Sequence, residues 1–236
     1  MKLTAGQVRS ELNKHADKEY ADRALRFFKT GKGDYGEGDK FLGIRVPVLR
    51  KLVKTYKGIS LDEIMKLLKS AYHEERMLAL FFLVDMFKKG AEGAKAAIYN
   101  AYLNNTAYIN NWDLVDTTAP HIVGAFLADK NRAPLYQLAT SRSLWERRIA
   151  IISTFYFIRQ HDFAETIELS RILLHDQEDL MHKAVGWMLR EVGKHRMSAL
   201  EGFLKTHYKH MPRTMLRYAI EKFPEKRRQR YLKGKI

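Results

Sequence analysis

The sequence predicts an all-α protein, an α-solenoid superhelix of helical pairs with a concave basic face, and three observations lead there. Apolar residues recur at helical spacing almost throughout, and alternating strand patterns are essentially absent. Five segments place an apolar residue three positions after a bulky or basic one: Arg76 with Ala79, Trp112 with Val115, Arg147 with Ala150, Met181 with Ala184 and Arg213 with Leu216. Their first members are 36, 35, 34 and 32 residues apart. A period in the thirties with two helices per period is the signature of HEAT or armadillo stacks. The third observation is charge: 42 Lys+Arg against 27 Asp+Glu give a net +15 over 236 residues. Such an excess attracts polyanions, of which nucleic acid is the commonest. The chain reads as a single helical-repeat domain over 1–236, with an arm and Gly-rich loop over 1–40 and the repeats over 41–236.

Taken in order, the elements have legible starts. Thr4 with Gln7 and, more strongly, Ser60 with Glu63 have the spacing of capping boxes, in which each side chain satisfies the other's backbone N–H. Gly31 to Gly38 reads as a flexible loop; without a following Lys-Ser or Lys-Thr it is not a nucleotide phosphate loop. Pro47, Pro134, Pro212 and Pro224 each fit an early helical position, where the missing N–H costs little. The turn Phe41 to Pro47 directs a helix rich in Arg50, Lys51, Lys54 and Lys57, with Arg45 just before it. Arg227, Arg228, Arg230, Lys233 and Lys235 form a second basic run at the end.

Three stretches carry candidate chemistry. In Asn110 to Pro120, Trp112 and Asp116 lie one helical turn apart on one face. Pro120 removes the N–H that would bond the Asp116 carbonyl, so a kink or break is expected there. A carboxylate beside an indole at such a break is poorly solvated and available to a neighbour; the plainer alternative is that Asp116 caps and Trp112 packs. In Leu144 to Ala150, Arg147 and Arg148 open an otherwise apolar helix. One can pair with a carboxylate, Glu146 or Asp116, while the other reaches a phosphate. In Lys183 to Glu191, Gly186 inside a helix costs about 1 kcal/mol relative to Ala and permits close approach of another backbone. Trp187 beside it is either site or core. Asp176, Glu178 and Asp179 read as the acidic first turn of that helix, where they suit its dipole.

Several classes are excluded. There is no cysteine, so disulfides, thiolate chemistry and Cys-ligated zinc are out. His207 and His210 lack a third ligand, so no metal is expected. No signal peptide is visible at the start and none is expected, and the longest apolar run, Met77 to Val84, is far too short to cross a membrane. A cytoplasmic, monomeric protein without membrane partners is expected. No pattern supports a Ser-His-Asp triad, a dinucleotide fold or a kinase.

Taken together, Phe41-Leu42-Gly43-Ile44 with Pro47 and Arg50, Asn111 to Asp116, Trp145 with Arg148, and Ala184 to Trp187 with Leu189-Arg190-Glu191 resemble the AlkD-type DNA alkylation repair glycosylases. The resemblance implies a HEAT-like superhelix holding duplex DNA. It also implies excision of cationic alkylated purines such as 3-methyladenine and 7-methylguanine in base excision repair, with no metal or organic cofactor. By position, Asp116 falls on the catalytic carboxylate, Trp112 and Trp187 on the flanking aromatics, and Arg148 on the arginine beside the lesion. Arg45, Arg50, Lys51, Arg147 and Lys183 are the expected DNA contacts. Phe27 or Phe28 is the best match for an N-terminal aromatic. Asn111 departs from the pattern, since the family's namesake carries a second tryptophan there. The competing readings are a non-catalytic helical-repeat protein binding bent or branched DNA, a protein-binding scaffold, and an RNA-binding solenoid.

Overall fold

A computed structural model describes residues 2–236, and the described residues form fourteen α-helices with no strand. A single isolated bridge joins Lys40 to Tyr72. The chain divides into two compact units, residues 1–114 and 115–236.

The first unit contains α1 (Ala5–Asn13), α2 (Lys18–Phe27), α3 (Val46–Thr55), α4 (Leu61–Leu68), α5 (His73–Lys89) and α6 (Glu92–Leu103). Here α5 packs against α3, α4 and α6, and α1 packs against α3 and α4. Its centre is α5, buried on all faces from His73 to Val84. A helix that is apolar all round belongs inside a stack, which is why its hydrophobic run shows no exposed stripe. The capping boxes differ from expectation in an informative way. Thr4 and Gln7 complete theirs. Ser60 accepts from Glu63 N, but the Glu63 side chain turns away and accepts from Ala5 N at 2.7 Å. Glu63 therefore ties α4 to the orphan amide of α1, a stronger use of a carboxylate than its own exposed cap.

The stretch Gly31 to Gly38 is a run of hydrogen-bonded turns. Gly36 N donates to Lys29 O, Glu37 N to Asp34 O and Asp39 N to Gly36 O. Gly33 N donates to the Glu37 carboxylate. The following segment is pinned by Glu74, whose carboxylate accepts from the backbone amides of Leu42, Gly43 and Ile44 at 2.9, 2.8 and 3.1 Å. Gly43 has φ +80°, and a Cβ there would lie 1.9 Å from Asp17 O. Only glycine fits.

The second unit contains α8 (Ala133–Ala139), α9 (Leu144–Arg159), α10 (Ala164–Ile172), α11 (Asp179–His195), α12 (Met197–His207), α13 (Arg213–Ala219) and α14 (Glu225–Leu232). Alternate elements pack in succession: the π-helical segment Pro120–Gly124 on α9, α9 on α11, and α11 on α13. The remaining helices flank this row, α8 and α10 on α9, α10 and α12 on α11. That alternation is the solenoid-like repeat the period implies. The five spaced segments all begin within the first four residues of α5, α7 (Trp112–Asp116), α9, α11 and α13. Close helix approach explains Gly186: an added Cβ would meet Met215 O at 2.5 Å and Tyr218 Cβ at 2.6 Å on α13. Gly124 lies equally tight against Ser153 O of α9.

Four of the five prolines were expected at early helical positions, and two of the four lie inside a helix. Pro47 and Pro134 are the second residues of α3 and α8, while Pro212 and Pro224 stand just before α13 and α14 as their N-caps. Among the described residues no helix is long and apolar enough to cross a membrane.

Candidate functional site

The short helix α7 carries Trp112 at its start and Asp116 at its end, with Leu114 closing the first unit and Val115 opening the second. Asn111 Oδ1 accepts from Trp112 N at 2.8 Å, fixing the start of the helix. The end comes where Pro120 withholds its N–H, and the chain resumes as the π-helical segment. Insertions of π geometry concentrate at functional positions because they re-aim the side chains around them.

In the second unit Asp116 meets Arg148 of α9. Arg148 Nε donates to Asp116 Oδ1 and Nη2 to Oδ2, both at 2.8 Å. Arg148 Nη1 donates to Leu180 O at the start of α11, at 2.6 Å. Every guanidinium nitrogen is thus engaged inside the protein, two of them on Asp116. Side-chain exposure is 5% for Arg148 and 13% for Asp116, so the carboxylate is the less buried half of the pair.

Arg147 is also occupied. It forms a two-point pair with Asp176, Nε at 2.6 Å and Nη2 at 3.2 Å, and donates to the carbonyls of Ser141 and Arg142. Asp176, expected to serve the dipole of α11, is the buried anchor of this arginine and caps Glu178 N. Lys183 pairs with Asp179 one turn earlier on α11. Trp187 lies two turns beyond Leu180 on α11, against the Phe155 ring at 5.7 Å. Its Nε1 donates to Glu191 at 3.1 Å, leaving the indole faces for packing and contact.

In the first unit the indole of Trp112 is the end of an aromatic cluster. Phe28 stacks on it at 5.5 Å, and Phe27 meets its edge at 5.9 Å. Both N-terminal aromatics therefore reach Trp112; Phe27 is the open one, 65% exposed. Asn111, by contrast, is fully buried, so the departure from the family pattern falls in the core. Arg45, Arg50 and Lys51 are exposed at and after the start of α3 and form no ion pair with a carboxylate among the described residues. Arg45 and Arg50 rest instead on the rings of Tyr20 and Phe81, at 5.1 and 5.6 Å.

Sequence reasoning missed the buried polar cluster Asp39, His73, Arg76 and Asp113. His73 bridges the two carboxylates, 2.9 Å from each. Burial opposes charge on the imidazole, but Asp113 and Asp39 outweigh it and raise its pKa to about 9. For Asp39, burial is likewise outweighed, by His73 and Arg76, and its carboxyl is held below the usual range. Among the described residues no group of His, Cys, Asp and Glu could hold a metal ion.

No curated protein matches the chain. A solved structure described as a predicted DNA alkylation repair enzyme from Enterococcus faecalis is similar in fold. Its TM-score is 0.69 at 17% identity, over 89% of this chain and 98% of that one. The family model described as DNA alkylation repair enzyme matches residues 8–223, nearly the whole length. The chain belongs to the DNA alkylation repair enzyme family.

Proposed function

We propose that the protein is a DNA glycosylase that releases cationic alkylated purines, 3-methyladenine and 7-methylguanine, from duplex DNA in base excision repair. The observation that carries this reading is the geometry of the Asp116–Arg148 pair: a two-point ion pair in which the carboxylate is the less buried half. An ion pair of this geometry is made by the ionised carboxylate, fixed in direction by the fork of the guanidinium.

The chemistry asks for little more. Alkylation at N3 or N7 makes the purine cationic and a ready leaving group, so no acid is needed to protonate it. As the glycosidic bond lengthens, the sugar becomes an oxocarbenium ion, and a preoriented carboxylate stabilises the developing charge. Asp116 also orients the water that attacks the sugar carbon and accepts its proton. The role of Arg148 is to aim Asp116. Trp112 and Trp187 offer indole faces to the cationic base, each contact worth about 0.5–2 kcal/mol. Neutral lesions gain none of this attraction and are poor substrates. Arg45, Arg50 and Lys51 serve as phosphate contacts, because exposed cations without a carboxylate partner release counterions on binding.

The test is Asp116→Asn assayed for 7-methylguanine release from methylated duplex. A large loss of release with duplex affinity retained supports the reading. Undiminished release by the variant, or none by the native chain, removes it.

A further inference from the structure

Asp113 stands three residues before Asp116, and the glycosylase reading makes no use of it. It closes the buried cluster of the first unit. His73, at the first position of α5, is 3% exposed, with Nδ1 2.9 Å from Asp39 Oδ2 and Nε2 2.9 Å from Asp113 Oδ2. Arg76 Nη2 donates to the other Asp39 oxygen at 2.7 Å and Nη1 to Ser70 O at 3.1 Å. A neutral imidazole has one N–H and would turn a lone pair toward one of its carboxylates; two carboxylate partners call for both nitrogens protonated. Two cations, Arg76 and His73, then face two anions, Asp39 and Asp113.

The other charged groups around the cluster are committed elsewhere. Glu74 of α5 holds the amides of Leu42, Gly43 and Ile44, and Glu75 pairs with Arg9 of α1 at 2.7 Å. Arg23 of α2 lines the same cavity of about 350 Å³ as His73, Glu74 and Asp113. Two aromatic rings, themselves 5.0 Å apart, lie against the His73 ring. Phe41 stacks on it at 4.6 Å, and Phe28 lies 5.0 Å away. Phe28 in turn stacks on Trp112 at 5.5 Å with the planes 25° apart. An imidazolium against two rings adds cation–π attraction to the ion pairs. Both the polar path, through Asp113, and the ring path, through Phe28, end on the first two residues of α7.

We infer that His73 is a positioning residue: its imidazolium ties the start of α7 to Asp39 and holds the Phe28–Trp112 stack, setting the indole that receives the cationic base. The last clause rests on the glycosylase reading; the tether itself does not. Loss of the proton would leave a lone pair against a carboxylate, loosen Asp113 and free the indole.

The experiment uses the full chain with Trp145→Phe and Trp187→Phe, so that Trp112 alone emits. Its fluorescence should change in one transition centred near pH 9, where His73 loses its proton. The transition should be absent from His73→Gln. Should that variant fail to fold, with two carboxylates left uncompensated, Phe28→Leu decides: it keeps the ion pairs, breaks only the ring path, and should abolish or strongly blunt the transition. No transition in the parent, or one that persists unchanged in the variant read, overturns the inference. With native tryptophans, His73→Gln should raise KM for methylated duplex about tenfold and leave kcat within about threefold. A fall in kcat at unchanged KM contradicts the positioning role. A native chain that releases no base defeats the glycosylase reading, whereas the fluorescence transition, read without DNA, still decides the tether.

Discussion

Arg148 meets Asp116 through two parallel hydrogen bonds of 2.8 Å while its third nitrogen is held by Leu180 O. The carboxylate on α7 is thereby aimed from α9, and α9 is anchored in turn to the start of α11. Arg148→Lys keeps the charge but loses the fork. Lysine supplies one point of contact where the guanidinium supplies two, so base release should fall about tenfold to a hundredfold, with duplex affinity nearly unchanged. Arg148→Ala should in addition destabilise the fold by about 3–5 kcal/mol, since it strands a partly buried carboxylate. Single-turnover release and urea unfolding separate the two effects.

Gly186 provides a contest between two rules. Helix propensity predicts that Gly186→Ala stabilises α11 by about 1 kcal/mol. The contacts at 2.5 and 2.6 Å to Met215 O and Tyr218 Cβ predict the reverse, because α11 and α13 would be forced apart. A net loss of about 1–3 kcal/mol is expected. Thermal unfolding of the variant gives the sign directly.

How much of this was legible in the sequence depends on range. The helices, their proline-marked starts and the repeat period come from local spacing, and local spacing is what a linear reading sees. The break after Asp116 was likewise visible from Pro120. The sequence offers Glu146 or Asp116 to one of Arg147 and Arg148 without saying which arginine; the pairing of Arg148 with Asp116 spans 32 positions. By contrast, Asp176 looked like a helix-dipole residue because its partner Arg147 lies 29 positions away. The cluster at His73 draws on Asp39 and Asp113, 34 and 40 positions distant, and no periodicity announces pairs at that separation.

Stability should fall with rising pH in a window set by His73. Its pKa is raised in the fold, from an ordinary 6.5 to about 9. The stabilisation from its ion pairs is therefore complete below about pH 6.5, declines above it, and is gone once pH passes about 9. The total is about 3 kcal/mol at most. Urea midpoints across this range should drop for the native chain and flatten for His73→Gln.

Duplex binding should weaken steeply with salt. Each phosphate contact contributes about 0.9 to the slope of log K against log salt. The combined change of Arg45, Arg50 and Lys51 to alanine should reduce that slope by about 2–3, whereas neutralising the C-terminal Lys233 and Lys235 should leave it nearly unchanged. Fluorescence anisotropy titrations at several salt concentrations check both.

The most direct measurement counts abasic sites in methylated duplex after incubation with the native chain and with Asp116→Asn, at matched duplex occupancy. The native chain should generate abasic sites and free 7-methylguanine. The variant, without the negative charge facing the sugar, should do so at least about a hundredfold more slowly. Equal rates for the two, or methylated DNA left intact by the native chain, would contradict the assignment of Asp116 as the group that stabilises the departing base's sugar.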